Sequence, residues 1–319
     1  MGIAKTVEPS RRAFTGVLAG ALVVMAGPGA ARPADAAGAQ RIVVLDAGIA
    51  GYAFALEAPV VAADPRFPDA RINRRTGFPP LWNRQAAARK AVALPAGADG
   101  VDLAAIRAAE PDLIIAGGRN PGGLASAGRA ADLTAIAPTL VVPADLPGWR
   151  EELAFVADLL GRTDKVPALI AAFEARAAQV AGKIALPEGE TALLQANAGG
   201  IHEDPFAISP TSGLGRTLAG LGFRLFDAAS RVQGGTLDAD GRVPVPLAAV
   251  LEVFTAPNLI MVSNGPVSMG QLCCDPGFRQ LEAVISYRRW ELDESAIRPD
   301  YLAALRLLDM VESAFARKG

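Results

Sequence analysis

Residues 103–118 read L-A-A-I-R-A-A-E-P-D-L-I-I-A-G-G, and residues 250–264 read V-L-E-V-F-T-A-P-N-L-I-M-V-S-N. Each is an apolar-periodic helix, then Pro with Asp or Asn, then a short unbroken apolar run. Pro111 and Pro257 have no backbone N–H to give and crowd the preceding turn, so neither helix can continue through them. Leu113-Ile114-Ile115-Ala116 is short and apolar at every position, which suits a strand buried on both faces of a parallel sheet. One such helix-to-parallel-strand unit in each half predicts an α/β protein of two similar lobes with mainly parallel sheets, and a ligand cleft between them.

The flanking sequence extends the pattern. Arg41-Ile42-Val43-Val44-Leu45 reads as a first strand, followed by a helix to about Leu56 and a second strand at Pro59–Ala63. Leu133-Thr134-Ala135-Ile136-Ala137-Pro138 leads into a further strand, Thr139–Val142. Residues 148–184 are the longest helical stretch, broken at Gly161-Arg162, with Thr163 or Asp164 expected to cap the restart. A helix of ~20 residues is ~30 Å long, enough to cross between lobes. Lobes are therefore expected at 41–145 and 188–319, joined by the helices of 148–184. The second lobe should open with a strand at Thr191–Gln195, continue with a helix from about Leu214, and end in a helix near 300–317.

The N-terminus carries Ser10-Arg11-Arg12-Ala13-Phe14, an apolar run to about Ala26, and Ala34-Asp35-Ala36. A basic n-region, an h-region and an A-x-A site form an export signal over residues 1–36, and the paired arginines are those of the twin-Arg route. The h-region is too short to span a bilayer. No Cys follows it, so a periplasmic, unlipidated product is expected. The whole chain carries −2 and residues 1–36 carry +2, leaving about −4 after cleavage. That balance points to neither nucleic acid nor an anionic membrane as partner.

Metal and catalytic signatures are sparse. His202 is the single histidine, and Cys273-Cys274 the only cysteines. Adjacent cysteines close only a strained vicinal ring, so a reduced, partly buried pair is expected. The spacings of zinc and iron–sulfur sites are missing. There is no G-x-S-x-G elbow and no G-x-x-x-x-G-K-[ST] loop. His202, beside Glu203 and Asp204, reads as a loop residue rather than a general base.

Residues 41–64 imitate a dinucleotide-binding βαβ unit, R-I-V-V-L-D-A-G-I-A-G-Y followed by a strand ending at Asp64. Gly48 and Gly51 are in place, but the first of the three glycine positions is Asp46. A carboxylate there obstructs the tight turn and repels the pyrophosphate that the helix N-terminus should attract. An exported flavin or nicotinamide oxidoreductase stays the alternative from another class.

The order of phrases resembles the periplasmic substrate-binding proteins of ABC importers for ferric siderophores and cobalamin. R-I-V-V-L-D with A-L-E-A-P-V-V, then A-A-E-P-D-L-I-I-A-G-G and L-T-A-I-A-P-T-L-V-V, are similar to the family's first-lobe units. E-L-A-F-V-A-D-L-L-G-R-T-D-K-V-P-A-L-I-A-A-F-E-A-R is similar to its joining helices, and S-G-L-G-R-T-L-A-G-L-G-F and D-P-G-F-R-Q-L-E-A-V to second-lobe phrases. The resemblance implies two lobes joined by a long rigid helix, small closure, binding without catalysis, no cofactor, and a monomer that meets an ABC permease. It implies a ferric siderophore as ligand, with cobalamin or haem as the runner-up. Twin-Arg export without lipidation occurs among the siderophore members.

Ligand class is read from side chains. Arginine is abundant and lysine rare, and Arg's planar fork suits carboxylate or catecholate oxygens. One guanidinium ~4 Å from an anionic oxygen gains about 4 kcal/mol at an effective dielectric of ~20, before desolvation. An anionic chelate held by Arg74, Arg75, Arg119 and Arg231 is therefore expected, with Tyr52 and Trp82 supplying apolar contact. In the resemblance, Asn120 beside Arg119 falls where a hydroxamate-siderophore binder carries a cleft tyrosine. The family's permease-docking glutamates, near the start of each repeated helix, fall on Ala104 in the first phrase. Asp99 and Asp102 are the acids nearby, and Glu252 is the acid of the second phrase.

Overall fold

The protein is described by a computed structural model over residues 38–66, 73, 75–97, 100–146, 148–264, 267–297 and 300–317. The export segment, Arg74 and Asp99 lie outside these residues.

The first half alternates strand and helix, with two helices before the last strand: β1 (Ile42–Val44), α1 (Ala47–Ala55), β2 (Val60–Ala63), α2 (Asn83–Arg89), β3 (Val92–Ala93), α3 (Leu103–Ala108), β4 (Leu113–Gly117), α4 (Pro121–Ala127), α5 (Ala130–Thr134) and β5 (Thr139–Val142). Its five strands form one parallel sheet in the order β3-β2-β1-β4-β5. Every residue of β4 is buried, as a strand covered by helices on both faces requires. Helices α6 (Trp149–Leu159) and α7 (Val166–Lys183) follow. Then come β6 (Thr191–Gln195), β7 (Phe206–Ile208), α8 (Gly213–Gly220), β8 (Arg242–Pro244), α9 (Val250–Val253), β9 (Asn258–Val262), α10 (Met269–Cys274), α11 (Glu282–Ile285), β10 (Arg289–Leu292) and α12 (Tyr301–Phe315). The second sheet runs β10-β9-β6-β7-β8, parallel through β10, β9 and β6 and antiparallel at β7 and β8.

Both repeated phrases form helix and strand, with differences. Asp102 caps α3 by accepting from the N–H groups of Ala104 and Ala105 at 3.0 and 2.9 Å, and Glu110 leaves the helix at φ +47 just before Pro111. The second helix is shorter than its periodicity predicts: a 3-10 turn, Leu247–Ala249, leads into the four residues of α9. The expected capping of α7 is corrected as well. Thr163–Lys165 form their own 3-10 turn, and α7 starts at Val166 with no side-chain cap. Pro167 in its first turn has no N–H to satisfy, which lowers the need for one. Asp102→Ala should lower the unfolding free energy by about 1 kcal/mol, the usual worth of such a cap, measured by urea denaturation.

The lobes share a core. One apolar cluster runs from Ile42 and Phe54 in the first half, through Trp149 and Phe173 of the joining helices, to Ile260, Leu292 and Leu307 in the second. Helix α12 lies against α7, held by Arg176–Asp309 (2.6 Å), Arg176–Glu312 (2.5 Å) and Lys183–Glu312 (2.8 Å). It also reaches the first half. Asp300 caps α12 on Ala303 N–H (2.8 Å) and accepts from Trp82 Nε1 (3.1 Å). Close-packed interiors resist continuous deformation, so a core that crosses the junction restricts large hinge motion.

Candidate functional site: the cleft between the lobes

In the first sheet β1 is central, with β2 on one side and β4 on the other, so the chain reverses its winding between β1 and β4. In open α/β sheets the ligand crevice lies at the strand C-termini at that point. Here those ends are Asp46 after β1 and Gly118-Arg119-Asn120 after β4. They form one wall of a cavity of about 250 Å³. Trp149, Glu152 and Val156 of α6 form its back, and Thr211–Gly213, Arg216 and Leu237–Gly241 its second-lobe wall, with Asp300 also facing in.

Asp46 organises the first wall. Its carboxylate caps α1 through Ile49 N–H (3.1 Å) and accepts from Asn120 N–H (2.8 Å) and Asn120 Nδ2 (2.9 Å). Burial raises its pKa, opposed by these hydrogen bonds. The glycine loop is shaped to this group. Gly118 sits at φ +92, and a Cβ there would stand 2.7 Å from the Asp46 carboxyl. The helix N-terminus that a dinucleotide pyrophosphate would need is thus already occupied by the protein's own carboxylate, which removes the physical basis of the oxidoreductase reading.

Arg119 reaches across the cleft's back. Its guanidinium pairs with Glu152 (2.5 Å), donates to Leu146 O (2.5 Å) and lies 4.0 Å from Asp240. Burial raises the Glu152 pKa, and Arg119 opposes it. On the far wall Arg242 is shared between Asp238 (2.8 Å) and Asp240 (2.9 Å), and donates to Gln195 Oε1 (2.6 Å). Arg216 donates to Thr211 O at 2.5 Å.

Of the residues expected to bind ligand, the cleft gathers Arg119 and Asn120. Tyr52 and Trp82 are corrected: both have 0 % exposed surface, and a side chain without surface cannot touch a ligand. Tyr52 donates its O–H to Glu152 (2.8 Å) and Trp82 its Nε1–H to Asp300, so both position cleft carboxylates from behind. Arg75 is exposed and outside the cleft lining. Arg231 is also elsewhere, stacked 4.9 Å over Phe226 and donating to Glu252 O at 3.4 Å. Asp102 serves as a helix cap, and Glu252 is an exposed residue of α9. The loop after the second phrase does not line the cleft among the described residues; the loops after β7 and before β8 do. Glu152, Arg216, Asp238, Asp240 and Asp300 were missed by the residue reading. Only D-A-D-G-R at 238–242, a turn-like acidic run, offered a local signal.

His202 and Cys274 border a separate open groove on the second lobe, and both cysteines are unbridged. Among the described residues, no three His, Cys, Asp or Glu side chains converge to hold a metal ion.

No family profile matches the chain. It is 27 % identical over 281 residues to the ferric enterobactin-binding periplasmic protein FepB of Escherichia coli O6:H1, covering 86 % of each protein. Among solved structures, holo-ViuP superposes with a TM-score of 0.70 at 21 % identity, covering 87 % of this chain and 90 % of that one. SirA of Staphylococcus aureus, complexed with staphyloferrin B, superposes at 0.62 with 16 % identity over 86 % of this chain and 92 % of that one. The two sheets, the joining helices and the shared cleft carry the order that the sequence phrases indicate: the chain has the two-lobed α/β fold of the periplasmic siderophore-binding proteins of ABC importers.

Proposed function

We propose that this chain is an exported, non-catalytic solute-binding protein that captures an iron(III)-siderophore between its lobes and hands it to an ABC importer. Export by the twin-Arg route, a periplasmic and unlipidated product, and action as a monomer belong to the same proposal. The observation that carries it is the cavity at the switch point of the first sheet, closed by the second lobe over a common core. Its similarity over most of its length to a ferric enterobactin-binding protein supports the ligand class. Because the shared core restricts closure, affinity must come from a polar lining that stands ready before the ligand arrives.

Trp149 gives the test a built-in reporter. It lines the cleft, whereas Trp82 is sealed in the core. Titration with ferric hydroxamate, catecholate and carboxylate chelates should quench tryptophan emission at micromolar concentration or below. Trp149→Phe should remove most of that change. Silence across all three chelate classes, in both fluorescence and calorimetry, would sink the proposal.

A further inference from the structure

The charges in the cleft do not suit an anion trap. Asp46, Glu152, Asp238, Asp240 and Asp300 face it, against Arg119 and Arg216. Counting Asp300 as neutral, and counting Arg242, which pairs with Asp238 and Asp240 from behind the wall, still leaves four carboxylates to three guanidiniums. The arginines are also engaged: Arg119 by Glu152 and Leu146 O, Arg216 by Thr211 O, and Arg242 behind the wall by two aspartates. A chelate with excess negative charge would meet more carboxylate than guanidinium.

A second observation points to a donor. Asn120 is 2 % exposed, lines the cleft, and its Oδ1 accepts no hydrogen bond among the described residues. Its Nδ2 donates to Asp46, so turning the amide over would set Oδ1 against a carboxylate; the orientation is fixed. A buried acceptor left empty carries its full desolvation penalty, which a ligand N–H would relieve. The cavity, about 250 Å³, lies below the ~300–1,000 Å³ of whole small-molecule sites. It has room for the end of a chain, with the iron complex held at its mouth.

We propose that this cleft selects its siderophore by a pendant protonated amine, seated on the floor made by Asp46, Asn120 and Asp240. The inference rests on the siderophore reading above. An ammonium carries three donors, which can be divided between Asn120 Oδ1 and the carboxylates around it. Three hydroxamates neutralise a ferric ion, so a trihydroxamate with a free amine is a cationic complex overall. Three catecholate dianions leave the complex strongly negative.

The test compares three probes on the unmodified protein by calorimetry at neutral pH. They are the ferric complex of desferrioxamine B, which has a free terminal amine, the same complex N-acetylated, and a ferric tris-catecholate. The amine complex should bind at least about tenfold more tightly than its acetylated form, the scale of one charge-assisted hydrogen bond, and the tris-catecholate more weakly than both. Raising salt should weaken the amine complex most. Asn120→Leu should erase most of the preference for the amine. Equal binding of the amine and acetyl forms, or tightest binding of the tris-catecholate, overturns this inference while the siderophore reading stands. Failure of all three probes overturns that reading itself. The comparison of probes on the unmodified protein decides the question even if Asn120→Leu does not fold.

Discussion

Lowering the pH from 8 to 5 should raise the melting temperature of this protein by roughly 3–6 °C. Asp300 is the main source. It is 1 % exposed, and desolvation lifts its pKa to about 7, against the hydrogen bonds from Ala303 and Trp82 that favour its charged form. In the unfolded chain the same group titrates near 3.8. Between those values the folded state holds a proton that the unfolded state has released. Stability is therefore present at low pH and is lost as pH rises towards 7 and beyond. About three pKa units at 1.36 kcal/mol each gives a full span of ~4 kcal/mol, of which about 2–3 kcal/mol falls between pH 5 and 8. For a chain of this size that is a shift of several degrees. Burial raises Asp46 and Glu152 as well, which adds to the slope with the same sign. Glu57 and Glu312 are lowered by Lys165 and by Lys183 with Arg176, and what they contribute is lost only below their unfolded value of 4.5, outside this window. With one histidine in the chain, few other groups titrate there. Asp300→Asn keeps a good capping residue and removes the titration, so its melting temperature should be much flatter from pH 5 to 8. A parent protein equally stable or more stable at pH 8 would refute the assignment.

The fold was legible where its causes are local. Apolar runs such as Leu113–Ala116 and Leu259–Val262, each preceded by a helix and a proline, specify buried parallel strands whatever surrounds them, and the first cleft edge follows because a loop must leave β4. The second cleft edge was hidden. It hangs from β7 and β8, three residues each and too short to show a period; β7 joins the sheet by pairing with β6, and β8 by pairing with β7. Side-chain roles were least readable. Tyr52 finds Glu152 one hundred positions away and Trp82 finds Asp300 at a separation of 218, so residues that look like ligand contacts are in fact consumed by the core. The arginines misled for the same reason. Whether a guanidinium is spent on an ion pair, stacked on a ring as Arg231 is, or left to face a ligand is settled by tertiary neighbours. Asp46 was visible as an offence against the dinucleotide motif; that it builds the cleft wall needed Asn120, 74 positions on.

Gly51→Ala should destabilise the protein by about 2–4 kcal/mol, although the same change in an exposed helix would stabilise it by up to ~1 kcal/mol. Gly51 is buried in the middle of α1, where the start of α12 crosses it. A Cβ on Gly51 would stand 3.0 Å from Asp300 Cβ, with the carboxyl group closer still. Neither side can yield cheaply. Helix α1 is pinned at its start by Asp46, itself held by Asn120, while Asp300 is pinned by Ala303 N–H and Trp82. Overpacking of this kind typically costs ~1–3 kcal/mol. Displacing Asp300 adds the loss of a helix cap and a buried hydrogen bond, each about 1 kcal/mol. The helix-propensity gain is too small to offset that sum. If the clash is with the carboxyl group, shortening the partner should relieve it: Gly51→Ala with Asp300→Ser, which keeps a capping hydroxyl, should recover part of the loss, giving a coupling of at least ~1 kcal/mol in a double-mutant cycle. Additive effects would place the strain elsewhere in the helix. Asp46 and Asp300 both face the cleft, so the single variant should also bind ferric chelates more weakly, and the double variant should regain affinity only as far as α1 and α12 regain their contact.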